Sequence, residues 1–71
     1  MKKIIAIEGM SCGHCAGRVT DALGKINSVE NVNVNLVEKI AIVDLSQDVE
    51  DIQLKEAVQD VGYVVTEIQS I

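Results

Sequence analysis

The chain contains no tryptophan, phenylalanine or proline, and its one aromatic residue is Tyr63. A folded core must therefore be aliphatic. Positive charge is scarce: six basic residues stand against eleven acidic ones, for a net charge of −5. That balance argues against nucleic acid as a partner, because phosphate binding needs a basic face. Long apolar runs are missing too. The run from Ile4 stops after four residues at Glu8, where a secretory signal needs roughly 7–15, and nothing approaches the ~20 apolar residues of a membrane span. These absences predict a cytoplasmic protein with no direct membrane insertion. Cysteine is limited to Cys12 and Cys15, and in a reducing compartment a close pair of thiols points to metal binding or redox chemistry rather than to a structural disulfide.

What is present is enough for one domain. The 71 residues are 48% apolar and 24% charged, the composition of a globular chain, so residues 1–71 are expected to form a single domain. Charge is unevenly spread along it. Residues 1–25 carry four basic side chains against two acidic ones, and residues 26–71 carry two against nine, which leaves the cysteine-bearing end the less negative.

Periodicity divides the chain into six elements. Residues 3–8 are rich in isoleucine and bounded by Gly9, which predicts a strand with Ile5 and Ile7 on one face and Ile4 and Ala6 on the other. Ala16, Val19, Leu23 and Ile26 recur at helical spacing, predicting a helix that runs to about Ile26 and ends at Asn27-Ser28. Val32-Asn33-Val34-Asn35-Leu36 alternates without interruption, the pattern of a half-buried strand. It joins residues 40–45 through the short segment Val37-Glu38-Lys39, so a hairpin is expected, with Ala41, Val43 and Leu45 in the core. Leu54, Ala57, Val58 and Val61 mark a second helix, opened by Asp48, Glu50 and Asp51 and stopped by Gly62. Residues 63–68 complete the set as a last strand.

The order βαββαβ predicts an α+β, ferredoxin-like fold: a four-stranded antiparallel sheet with both helices on one face. On the open face Ile4, Ala6, Ile40 and Ile42 form an apolar stripe if strands one and three are neighbours. Scattered surface apolar residues and a self-association surface are both readings of that stripe.

Cys12 and Cys15, two residues apart, fall where a loop leaves the first strand and enters the first helix. The unpaired N–H groups and positive dipole end of a helix N-terminus favour thiolate over thiol. Two soft thiolates facing one point suit a monovalent ion such as Cu(I) at low coordination number. Two other chemistries compete. A structural zinc site needs about four protein ligands, whereas the chain offers at most Cys12, Cys15 and His14, with His14 placed awkwardly between the two. A thioredoxin-like redox site uses the same cysteine spacing, but such enzymes resemble W-C-G-P-C and use a cis-proline, and here tryptophan and proline are absent.

Gly9-Met10-Ser11-Cys12-Gly13-His14-Cys15, at the start of the first helix of a βαββαβ chain, resembles the G-M-x-C-x-x-C signature of the heavy-metal-associated domain family. The resemblance covers the whole chain and extends to Gly62-Tyr63, a Gly-Tyr pair that free-standing bacterial copper chaperones of this family carry after the second helix. It implies a non-enzymatic copper chaperone with Cys12 and Cys15 as Cu(I) ligands. It implies transfer by ligand exchange to the N-terminal domains of a copper-transporting P-type ATPase or to a copper-responsive repressor, and it leaves a copper-bridged homodimer open. Met10 reads as a packing residue under the loop, and Gly9 and Gly13 as sources of backbone freedom. Ser11 lacks the carboxylate that resembles the family's divalent-metal domains, which favours copper. His14 is expected to be a solvated loop residue, with thiolate tuning or service as a third ligand in a dimer as the alternatives. Tyr63 is expected near the metal loop, or else at the edge of the core with its hydroxyl in water. Arg18 and Lys25 form either a basic docking margin or a plain solvated face. Met1 close before the first strand and Ile71 just after the last favour a free-standing protein over an excised ATPase domain.

Overall fold

In a computed structural model that describes residues 1–10 and 13–71, the chain forms β1 (Lys2–Glu8), α1 (Gly13–Gly24), β2 (Val29–Asn35), β3 (Ile40–Leu45), α2 (Asp51–Asp60) and β4 (Val64–Ser70). The strands make one sheet of order β2-β3-β1-β4, with every neighbouring pair antiparallel. This is the expected fold. Alternation along β1 and β3 sends Ile5, Ile7, Ala41, Val43 and Leu45 to one face, where they meet Val19 and Leu23 of α1 and Leu54 and Val58 of α2. The two central strands thus supply the floor of the core and the helices its roof. Neither helix is long and apolar enough to cross a membrane.

Element ends differ from the periodic pattern where local chemistry overrides it. α1 stops at Gly24, two residues before Ile26, because glycine is a poor helix former. Ile26 still packs against the core from the following turn, its N–H donating to the Leu23 carbonyl at 3.2 Å. β2 begins at Val29 and ends at Asn35, so Leu36 opens the hairpin turn instead of closing the strand. In that turn the Glu38 N–H donates to Asn35 Oδ1 at 3.1 Å, and Lys39 adopts a left-handed φ of 60°. β4 begins after Tyr63 and continues to Ser70.

The far end of the core is closed by a residue that the pattern does not mark. Lys3 lies on the core side of β1 with 8% of its surface exposed. Its Nζ donates to the Val49 carbonyl at 2.6 Å and to Asp51 Oδ1 at 2.7 Å, with Asp48 Oδ1 at 3.7 Å. The lysine thereby neutralises acids that would otherwise crowd the entry to α2, and it lets Val49, 4% exposed, turn into the core between them. On the open face Ile4 pairs with Ile42 and Ala6 with Ile40 across β1 and β3, and all four side chains are half-buried.

Candidate metal centre

The site is built where β1 and α2 both end. β1 finishes at Glu8, and the chain turns sharply through Gly9, whose φ of +97° is a conformation that side chains other than glycine's resist. Met10 follows and folds into the core with 6% exposure, the packing role expected of it. Ser11 and Cys12 lie outside the described residues. α1 then opens with Gly13, His14 and Cys15; His14 is exposed, and Cys15 is half-buried against the core. The first turn of α1 contains no acidic residue, so the positive end of its dipole meets the Cys15 sulfur unopposed by a carboxylate of that turn. Gly13 has open space around it, where a Cβ would meet nothing within 4 Å.

Tyr63 reaches the same place from the other side of the molecule. At the end of α2 the Gly62 N–H donates to the Gln59 carbonyl at 3.0 Å and the Tyr63 N–H to the Val58 carbonyl at 3.4 Å, with Gly62 at φ +96°. This paired arrangement is a Schellman motif, which explains the glycine at that position. It throws Tyr63 across the start of β4 onto Gly9, where a Cβ would stand 3.3 Å from the ring Cδ1. Gly9 is therefore required twice, once for its backbone and once for the ring above it.

The Tyr63 hydroxyl meets both Cys15 and Arg18. Its pKa is raised above the usual 10.0, first by hydrogen bonding to Cys15, then by desolvation and by the charge on that sulfur, while the Arg18 guanidinium pulls it the other way. The structure thus brings Cys15, Tyr63 and Arg18 together. It does not add Lys25, which stands beyond the end of α1 over a groove of about 440 Å³ shared with Glu56 and Asp60 of α2. A second groove, of about 340 Å³, runs between α2 and β4. Gly9, Gly13 and His14, which flank the cysteines in the sequence, are exposed, so that end of the molecule faces solvent. Sequence reasoning left Arg18 undecided between two roles, because its neighbour Tyr63 is distant along the chain.

Residues 4–64 match the profile of the heavy-metal-associated domain. The chain is 41% identical over 64 residues to the copper chaperone CopZ of Staphylococcus haemolyticus, covering 89% of this chain and 94% of that one. Among solved structures it is similar to a CopZ metallochaperone, with a TM-score of 0.88 at 39% identity over 93% of this chain and 100% of the other. It is also similar to a copper-binding domain from HMA7, a P-type ATPase, with a TM-score of 0.85 at 31% identity over 99% and 96% of the two chains.

Proposed function

The chain belongs to the heavy-metal-associated domain family, and from that premise we propose that residues 1–71 act as one unit, a cytoplasmic copper chaperone that carries Cu(I) and performs no catalytic turnover. Cys12 and Cys15 hold the ion as thiolates. The softness of two sulfurs selects a soft monovalent cation, and low coordination leaves room for a third ligand. The observation that carries this reading is the position of Cys15, half-buried in the first turn of α1 at an exposed tip, with Tyr63 beside it.

Delivery proceeds by ligand exchange. A thiolate of the acceptor adds to the bound ion and forms a three-coordinate bridge; one of the chaperone's sulfurs then departs as thiolate, a second acceptor thiolate adds in its place, and the chaperone's remaining sulfur departs as thiolate, leaving the ion two-coordinate on the acceptor. Charge and ligand number balance at each stage, so no oxidant or reductant is needed. Cys12 engages the acceptor first, and Cys15, held by the helix, releases last. The acceptors are the N-terminal domains of a copper-transporting P-type ATPase or a copper-responsive repressor, and a second copy of this chain bridged by copper is a further partner. The likeness to the HMA7 domain supports a second reading, in which the chain serves as the metal-binding domain of such an ATPase.

Anaerobic titration of the reduced protein with Cu(I) and Zn(II) against chelators tests the reading. Preferential Cu(I) binding, lost in both Cys12→Ser and Cys15→Ser while the fold persists, is the expected result. Zinc preference, or disulfide-reductase turnover, contradicts it.

A further inference from the structure

Arg18 lies three residues after Cys15 on α1, the spacing that places two side chains on one helical face. Both residues act on the Tyr63 hydroxyl, Cys15 by a hydrogen bond and a charge that raise its pKa and Arg18 by a charge that lowers it, and the Tyr63 ring is fixed by the Schellman motif below it and by its seat on Gly9. Among the described residues the ion pairs belong to Lys2 and Lys3, so no carboxylate among them claims Arg18, although Asp21 is three positions further along the helix.

We infer that Arg18 is a specificity-determining residue, which favours a monovalent over a divalent ion in the two-thiolate site by compensating the negative charge that only the monovalent complex retains. The inference rests on the carrier reading above. Two thiolates around Cu(I) leave a net charge of −1, and the same two thiolates around Zn(II) leave zero. A cation one helical turn from Cys15 attracts the first complex and is indifferent to the second. The metal-free state is common to both equilibria, so its protonation cancels in the ratio of the two affinities, and that ratio reports the single unit of charge. For an exposed cation several ångströms from the site, with the field screened by water, that unit changes the ratio by about three- to tenfold.

The test measures Cu(I) and Zn(II) affinities by chelator competition in the wild-type chain, Arg18→Gln and Arg18→Lys. Ionic strengths of ~0.01 M and ~1 M bracket screening lengths of roughly 30 Å and 3 Å. The expected result is a Cu(I)-to-Zn(II) ratio lower by about three- to tenfold in Arg18→Gln at low salt, largely restored in Arg18→Lys, with the difference gone at high salt. Thermal melting of the metal-free variants shows whether the substitution acts on the fold instead. An unchanged ratio in Arg18→Gln, an equal loss in Arg18→Lys, or equal weakening of both metals overturns the role of Arg18 while leaving the carrier reading intact. A wild-type chain that fails to hold Cu(I) overturns the carrier reading itself, and the role of Arg18 with it.

Discussion

The two ends of β1 treat polar groups in opposite ways. At the Lys3 end the chain binds its own polar groups: the ammonium is held by Val49 and Asp51, the Leu45 N–H donates to the Met1 carbonyl at 2.7 Å, and the Ile71 N–H donates to the Lys2 carbonyl at 3.0 Å, with Asp44 Oδ1 the buried side-chain oxygen left without a hydrogen bond among the described residues. At the other end, roughly 20 Å away along the strand, two positive-φ glycines and a tyrosine hold a cysteine at an exposed tip. The same aliphatic core runs between them. The difference separates two ways of holding an end: the cysteine-bearing end is held in shape by backbone geometry and one ring, and the ionic fastening among the described residues sits at the opposite end.

The largest expected effect comes from undoing the closed end. Lys3→Ala removes the buried stem together with two short charge-assisted bonds and should destabilise the protein by about 3 kcal/mol, as read from denaturant melts, with Cu(I) affinity unchanged. If affinity fell in parallel with stability, the two ends would not be independent. Gly9→Ala attacks the open end, where both φ and the Tyr63 ring oppose a Cβ. It should cost about 2 kcal/mol and, unlike Lys3→Ala, should also weaken metal binding in the same chelator competition.

Two smaller effects sharpen the contrast. Lys39→Gly, in the hairpin turn and remote from both ends, relieves a left-handed φ of 60° and should stabilise the chain by about 0.5–1 kcal/mol with no change in metal binding. Tyr63→Phe should lower stability slightly at neutral pH and flatten the alkaline limb. The folded state raises the Tyr63 pKa above 10.0, so the stability that the hydroxyl contributes is complete below the ordinary value and is lost as pH rises through the raised one. In the metal-free protein, melts between roughly pH 9 and 12 should show that loss in the wild type and lack that component in Tyr63→Phe.

Much of this was legible in the residues. Val32 and Val34 alternate with asparagines, and β2 follows; Leu54 and Val58 repeat at helical spacing, and both are buried. Gly62 announces the end of α2 because only its backbone conformation suits that stop. Lys3 was illegible because a charged residue on a core-facing strand position is acceptable only with its partners, and these lie 46 and 48 residues away. Val49 was hidden among Asp48, Glu50 and Asp51 for the same reason. At the site, the cysteine spacing and Met10 could be read locally, whereas the meeting of Arg18 with Tyr63 depends on where the end of α2 falls relative to α1, which no local pattern encodes.

The central claim is that copper passes through direct contact at the open tip and is not released into solvent. Stopped-flow mixing of the Cu(I)-loaded chain with a metal-free acceptor domain bearing its own cysteine pair tests it most directly. The account predicts a transfer rate that rises with acceptor concentration and exceeds the rate at which a chelator strips the ion by dissociation. A rate independent of acceptor concentration and equal to spontaneous dissociation would contradict it.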